Sequence, residues 1–358
     1  MSASFHSLKI TDVRHEIDDA VSLAFDLPDA LRETFRYTPG QHLTLRALLD
    51  GQDVRRNYSI CAAPHEDELR VAIKHVPGGQ FSAWANTAVS VGDIVEVMAP
   101  HGSFTWSFDS ERTATYAGFA AGSGITPILS LLKSALSVEP RSRFILFYGN
   151  RASNSIMFLE ELADLKNRFM GRLQVFHFLS EEAEDVDLFN GRLDAARTAQ
   201  ALTDLVDPKT LTAAFVCGPG PMMDVVEAAL LAAGLPLDAI LIERFTVGEM
   251  SAAQLAAAKA LEQRAAGRKV QVTLEGRRRL IAFDADKGSI LENARAVGMP
   301  APFACKAGVC ATCRAKVISG QVEMKTNYGL SAEEVAQGYV LTCQAVPLSD
   351  DVVLDYDA

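Results

Sequence analysis

Nowhere in its 358 residues does this chain gather the roughly 20 consecutive apolar residues that a bilayer-spanning helix needs. Its first residues, "MSASFHSLKITDVRHE", lack the apolar core of a secretory leader, which predicts a cytoplasmic protein. It has no excess of positive charge: the net charge of −11 argues against nonspecific nucleic-acid binding. Histidine is absent from residue 303 onward. Cysteine is scarce, with 6 in the chain, and 4 of those fall after residue 304. What is abundant is ordinary: 49% hydrophobic and 22% charged residues describe a globular chain, and the length suggests two or three domains. The acidity is uneven. Residues 269–358 carry 11 acidic and 10 basic side chains, a net of −1, so the other −10 lies in residues 1–268.

The late cysteines sit in "FACKAGVCATCRAKV" and "VLTCQAV" as Cys305, Cys310, Cys313 and Cys343, a C-x4-C-x2-C run with a distant fourth. That is the plant-type [2Fe–2S] spacing. Zinc and a loop of free thiols are the competing readings, although zinc favours paired C-x2-C knuckles or mixed Cys/His sets, and no histidine is at hand. Disulfides need an oxidising compartment, to which nothing here points. Ala307, Gly308 and Ala311 are small enough to let backbone N–H groups approach the sulfurs. Basic residues surround the loop, namely Lys306, Arg314, Lys316 and Lys325, and suggest docking to an acidic partner surface.

The chain divides by pattern. Residues 1–109 show short strand-like runs broken by Pro and Gly, such as "YTPGQHLTLRA" and "LRVAIKHVPGG", which predict an antiparallel β-barrel. In residues 110–246, apolar strands alternate with helical segments, predicting an α/β domain with a parallel sheet. Residues 247–268 are Ala-rich and read as a linker, partly helical. In residues 269–358, a hairpin turning at Gly276 precedes two helices with capping-box signals, Ser289/Glu292 and Ser331/Glu334, and "YVLTCQAV" reads as one strand.

A [2Fe–2S] cluster carries one electron at a time, whereas a nicotinamide delivers two, so a flavin is expected between them. "RRNYSI" offers Arg56 as a fork for a diphosphate, Tyr58 as a ring to stack, and Ser59 as a hydroxyl for a flavin ring atom. "VPGGQFSAW" places Gly78, Gly79 and Ser82 before a predicted helix, a turn that suits phosphate. "AAGSGITP" follows a predicted strand and opens a helix, with Gly122 and Gly124 allowing close approach and Thr126 as a cap. "VCGPGPMM" repeats the arrangement, with Cys217 either facing the nicotinamide or serving as a buried structural residue. After the second strand of this region, "YGNRASNS" carries Arg151, which suits the 2′-phosphate of NADPH, and no acid follows in sequence until Glu160.

Arg56-x-Tyr58-Ser59, the turn with Ser82, "GSGITP", "CGP" and "ERF" occur in this order in ferredoxin–NADP reductase-like flavoproteins. With a plant-type, β-grasp ferredoxin domain at its C-terminal end, the chain resembles the reductase components of multicomponent oxygenases. The branch acting in multicomponent epoxidases matches more closely through "FHSL", "PGQHLTL", "YGNR" and "TNYGL". The resemblance implies that Arg56 and Ser82 hold the FAD diphosphate, Tyr58 stacks on the flavin, and Ser59 lies near its N5. It implies further that Gly122, Thr126 and Cys217 line the nicotinamide path, that Glu243 and Phe245 end the last strand close to the flavin, and that the four cysteines hold the cluster. FMN stays open, because no adenine-stacking residue is assigned. The implied cofactors are FAD, NADPH and the [2Fe–2S] cluster, and the implied partner is an oxygenase component of the di-iron kind. The competing functions are a reductase for another aromatic oxygenase and a flavin/iron–sulfur redox sensor.

Overall fold

The computed structural model describes residues 4–245 and 252–358. These form two compact units, one of residues 6–54 and 58–244 and one mainly of the residues after 245.

The first unit opens with six strands: β1 (Phe5–Ile17), β2 (Ala20–Phe25), β3 (His42–Leu49), β4 (Gln52–Ser59), β5 (Leu69–Lys74) and β6 (Ile94–Met98). They order as β4-β3-β6-β1-β2-β5, and a bridge between Ile60 and Val71 joins the two ends into an antiparallel barrel. The β3–β4 hairpin sets which residues face one another. Asp50 and Gly51 turn the chain with φ of 51° and 76°, the two positive values that a tight two-residue hairpin turn demands. Pairing outward from Leu49 and Gln52 puts His42 opposite Ser59, and the bond from the Ile60 amide to the Gln41 carbonyl, at 2.9 Å, keeps that register. A short helix, α1 (Gln80–Thr87), lies against the barrel with Phe81 and Ala85 in its core.

A parallel sheet comes next in the same unit: β7 (Thr115–Ala121), β8 (Arg143–Asn150), β9 (Leu173–Leu179), β10 (Ala213–Cys217) and β11 (Ile240–Glu243), ordered β11-β10-β7-β8-β9. Its strands are nearly continuous apolar runs because α2 (Ile125–Val138) and α3 (Leu159–Arg168) cover one face while α4 (Ala195–Asp204) and α5 (Gly220–Ala232) cover the other. The strand order reverses between β7 and β10, so the loops leaving those two strands flank a crevice at the C-terminal edge, where open α/β sheets bind ligands.

The second unit holds α6 (Ala252–Ala265), β12 (Lys269–Leu274), β13 (Arg277–Ala282), α7 (Ile290–Ala296), β14 (Arg314–Ser319), β15 (Val322–Met324), α8 (Ala332–Ala336), β16 (Tyr339–Leu341), β17 (Ala345–Pro347) and β18 (Val352–Asp355). Its mixed sheet, β13-β12-β18-β14-β16, is crossed by α7 in the manner of a β-grasp. Both expected helix caps are present: Ser289 accepts the Glu292 amide, and Ser331 and Glu334 exchange a reciprocal pair of bonds. Two expectations change. "YVLTCQAV" is not one strand: a turn closed by the Gln344 amide on the Leu341 carbonyl breaks it into β16 and β17, which pair in different sheets. The Ala-rich segment also does more than link. Of the expected 247–268, residues 247–251 lie outside the described residues, but α6 buries Ala265 and packs Leu261 on the β-grasp core.

Candidate functional site

The flavin-motif residues ride on β4 and α1. Arg56 is exposed and donates to its neighbour's carbonyl. Tyr58, half-buried, tilts against Phe81 with ring centroids 5.6 Å apart. Ser59 is buried, and among the described residues its Oγ has no partner. A buried hydroxyl without a partner costs stability, so this position fits a bound group that offers a donor or acceptor there. Ser82 is committed differently: its Oγ accepts from the Val76 amide and donates to the Gly79 carbonyl, each at 3.1 Å. Gly79 is needed for that closure, because a Cβ there would meet Ser82 Oγ at 2.6 Å. The hydroxyl therefore shapes the turn, and what the turn presents to a phosphate is the opening backbone of α1.

At the sheet's switch point the two glycine turns meet. Gly122 has φ 53°, and its carbonyl accepts from the buried Tyr148 hydroxyl at 3.0 Å. Gly124 touches the neighbouring strand so closely that a Cβ would lie 2.1 Å from the Cys217 carbonyl oxygen. Thr126 is buried and caps the turn by donating to the Ser123 carbonyl at 3.0 Å. Cys217 is fully buried and stands in register with Glu243 on β11. Burial, reinforced by the Glu243 charge, holds its thiol well above the ordinary range, so it is neutral. Phe245, two residues beyond β11, is 39% exposed.

Arg151 follows β8, 62% exposed, with Asp19 at 3.8 Å. The same loop receives an acid that its own sequence lacks: Glu182, from the loop after β9, accepts both the Ser153 amide at 2.6 Å and the Ser153 hydroxyl at 3.1 Å. No local spacing could have announced Glu182, because a strand and a helix separate it from Ser153.

His42 is the histidine of "PGQHLTL", a stretch to which the sequence alone assigns no chemical role. It is buried, packs edge-on against His101 with centroids 4.3 Å apart, and places Nδ1 3.7 Å from the Glu243 carboxylate. Its one signal lies in the hairpin: "DG" fixes a register that puts this histidine opposite Ser59.

In the second unit the four late cysteines are free thiols that fall into two pairs. Cys305 hydrogen-bonds Cys310, and Cys313 hydrogen-bonds Cys343. Cys310 is held down to about 5 by the Cys305 thiol and by Thr312, and Cys343 is lowered by the Cys313 thiol. Each pair thus favours a thiolate, the form that ligates metal. Among the described residues, no three His, Cys, Asp or Glu side chains are set to hold a single ion. Two thiol pairs in this spacing suit a cluster of two irons. Lys306 and Ala311 adopt φ of 54° and 53°, wrapping the loop, and Gly308, at φ 78°, would bring a Cβ into tight contact with the Thr326 carbonyl at 3.0 Å. The basic surroundings are largely neutralised. Lys306 pairs with Glu292 and Arg314 with Glu334, each at 2.8 Å. Lys325 is only 14% exposed and is pinned to Glu262 of α6. Lys316 lies over the Tyr339 ring.

Comparison with known families defines the class. Residues 7–106 match the oxidoreductase FAD-binding domain, residues 119–228 the oxidoreductase NAD-binding domain, and residues 272–348 the 2Fe-2S iron-sulfur cluster binding domain. A chain with these three modules is an NAD(P)H-dependent flavin and iron–sulfur oxidoreductase, and its flavin cofactor is FAD. It belongs to the family of reductase components of multicomponent oxygenases, which pass electrons from NAD(P)H through FAD and a [2Fe–2S] cluster to an oxygenase. It is 44% identical over 99% of its length, and 98% of the relative's, to a 1,2-phenylacetyl-CoA epoxidase subunit from Escherichia coli K12. It is 34% identical over 98% of its length, and 96% of the relative's, to the ferredoxin reductase component of 3-ketosteroid-9-alpha-monooxygenase from Rhodococcus rhodochrous. Phthalate dioxygenase reductase shares the fold across 98% of both chains, with a TM-score of 0.58 at 22% identity. Among the described residues no helix is long and apolar enough to cross a membrane.

Proposed function

We propose that this chain is the reductase of a phenylacetyl-CoA epoxidase system, drawing on NADPH and delivering electrons to a di-iron oxygenase in the cytoplasm. The observation that carries this reading is the 44% identity, end to end, with the Escherichia coli epoxidase subunit, against 34% for the ketosteroid-monooxygenase relative. Arg56, Tyr58, Ser59 and the Gly79/Ser82 turn serve the FAD; Gly122, Gly124, Thr126 and Cys217 shape the nicotinamide crevice; Glu243 and Phe245 close it toward the flavin; Cys305, Cys310, Cys313 and Cys343 hold the cluster. The preference for NADPH rests on Arg151, whose exposed guanidinium stands at the end of β8, against Glu182, which reaches that loop from the one after β9. A compartment that keeps thiols reduced supports the cytoplasmic assignment, since the cluster needs four thiolates.

When bound, FAD accepts an electron pair and releases it singly. The chain's own contribution is to bury Ser59, to fit the two glycine turns together without side chains between them, and to hold the thiols in pairs. The decisive experiment is reconstitution: the purified protein, NADPH and a phenylacetyl-CoA oxygenase component should yield epoxide, and a ketosteroid oxygenase should be served poorly in its place. Equal service to both would leave the reductase class standing and remove the epoxidase assignment. Equal kcat/KM for NADPH and NADH, or no loss of preference in Arg151→Ala, would remove the NADPH assignment.

A further inference from the structure

Hydride transfer from NAD(P)H to FAD moves two electrons and one proton together and leaves NAD(P)+ and FADH−. Such a step tolerates little error in placement, since about 1 Å can cost about a hundredfold in rate. The flavin motif lies on the barrel and the glycine turns lie on the parallel sheet, so the first unit needs a device that sets one against the other.

Helix α2 carries such a device. It leaves the turn Gly122–Gly124, and its residues from Ile125 to Leu136 are buried. All of these are apolar or carry a small hydroxyl, except Lys133. The Lys133 side chain is 7% exposed, and its Nζ lies 2.7 Å from Oε2 of Glu66 and 2.8 Å from Oε1 of Glu161. Glu161 belongs to α3 of the parallel-sheet region, whereas Glu66 ends the single 3-10 turn Pro64–Glu66 that follows β4 of the barrel. The same Oε2 accepts the Ala63 amide at 2.7 Å, which ties the carboxylate to the backbone of its segment. One turn earlier on α2, the buried Ser130 donates its hydroxyl to the Ala62 carbonyl at 2.6 Å. Positions 130 and 133 share a face of the helix. Two fastenings on one face fix tilt as well as position, where one alone would leave a pivot. From Lys133 the helix runs back about 12 Å to its start beside Gly124, and on the barrel side Ala62 stands three residues after Ser59.

Stability alone does not account for the lysine. An apolar side chain there would avoid the cost of taking an ammonium out of water, and such replacements are often neutral or stabilising. Burial works against the charge, but Glu161 and Glu66 outweigh it and hold the ammonium above its ordinary range. We propose that Lys133 is a positioning residue for hydride transfer: by clamping Glu66 to α2 it fixes the flavin motif of the barrel against the glycine turns of the parallel sheet. The inference rests on the flavin lying at Tyr58 and Ser59 and the nicotinamide at Gly122–Thr126, as in the proposed function.

The test is Lys133→Met in the complete protein loaded with FAD and cluster, with wild type, Ser130→Ala, Glu66→Gln and Glu161→Gln alongside. Flavin reduction is followed by anaerobic stopped flow with whichever nucleotide wild type prefers, so a preference for NADH strikes the NADPH assignment and leaves the clamp to be decided by the variants. In Lys133→Met the limiting rate should fall at least about tenfold while the nucleotide's Kd stays within about threefold. Ser130→Ala strands no charge and should slow the limiting rate at least about threefold, as should Glu66→Gln, whereas Glu161→Gln should change it less than about twofold. As a readout independent of turnover, amide exchange in residues 60–66 of protein stripped of FAD should speed up in Lys133→Met while β7 and β8 exchange as in wild type. An unchanged limiting rate in Lys133→Met overturns the clamp, and so does unchanged exchange in residues 60–66. A loss in Glu161→Gln without one in Glu66→Gln also overturns it, because the lysine would then serve only the contact between α2 and α3. A lowered melting temperature with the limiting rate intact makes Lys133 a packing residue and overturns it too. Wild type reduced by neither nucleotide would strike the proposed function, and the exchange result would still decide the clamp.

Discussion

Gly124 has no room for even a methyl group, and this makes it the sharpest single-residue probe of the crevice proposed for the nicotinamide. A Cβ 2.1 Å from the Cys217 carbonyl must push the turn after β7 away from the turn after β10. Overpacking of this kind costs about 1–3 kcal/mol. Gly124→Ala should therefore lower the melting temperature and raise the KM for NADPH several-fold while leaving the visible spectrum of the cluster unchanged. A normal KM would mean that the two turns do not form the nucleotide's floor. Ser59→Ala should behave in the opposite way. It removes a buried hydroxyl that has no partner among the described residues, so the protein stripped of flavin should lose no stability, whereas FAD should bind more weakly by about 0.5–1.5 kcal/mol. Equal FAD affinity in a titration would place the flavin elsewhere. His42 adds a pH dependence whose sign is set by burial. Its native pKa is depressed, so the native chain refuses a proton that the unfolded chain accepts below about pH 6.5. The stabilisation is complete above that pH and is lost as the pH falls through it, by at most about 1.4 kcal/mol per pH unit for this one group. Urea unfolding at about pH 5.5 and about pH 7.5 should show a smaller drop in His42→Asn than in wild type, and identical drops would show that the imidazole already protonates in the folded state.

At the scale of elements, what the sequence revealed and what it hid have a common physical cause. Local signals travelled well. The capping residues Ser289 and Ser331 announced α7 and α8, the glycine turns announced the β7–α2 and β10–α5 junctions, and the cysteine spacing announced the loop before β14. What stayed hidden was set by partners far along the chain. Glu182 joins Ser153 from another loop, Glu243 meets His42 across the molecule's first unit, and the break in "YVLTCQAV" follows from β16 and β17 pairing with different strands. The Ala-rich segment belongs with these: its composition hid the docking of α6, which depends on Leu261, Ala265 and an ion pair between Glu262 and Lys325. Both partners of that pair are mostly buried, and the ammonium also donates to the Gly288 carbonyl at 2.7 Å. Glu262→Ala leaves a buried cation with a single acceptor, a change that costs about 1–3 kcal/mol. Bleaching of the cluster on heating should begin at a lower temperature in this variant, and an unchanged bleaching curve would show that α6 contributes nothing to the unit that carries the cysteines.

For the whole molecule, the question is how the electron reaches the oxygenase, and the charge map answers it differently from the charge count. Four cations near the cysteine loop suggested an electrostatic docking face. Three of them are matched by carboxylates within their own unit: Lys306 by Glu292, Arg314 by Glu334 and Lys325 by Glu262. Lys316 lies against the Tyr339 ring. Such pairs present little net field, because at ordinary ionic strength two opposite charges in contact are nearly neutral a Debye length, about 8–10 Å, away. Exposed cations do stand on β13, where Arg277 and Arg278 have no ion pair among the described residues. That strand is one edge of the mixed sheet and β16, which leads into Cys343, is the other, so a partner steered to β13 would be held at the edge away from that cysteine. These four cations therefore offer steering little unmatched charge beside the cluster, and the association rate should depend on shape and apolar contact more than on them. With NADPH saturating, the kcat/KM for the oxygenase should change by less than about threefold between about 20 and about 300 mM NaCl, whereas docking through a basic face would make it fall by an order of magnitude or more. Charge reversal at Lys316 should leave kcat/KM within the same band. A steep fall with salt, abolished by that reversal, would show that the paired cations release their carboxylates to the partner and that the contact is electrostatic after all.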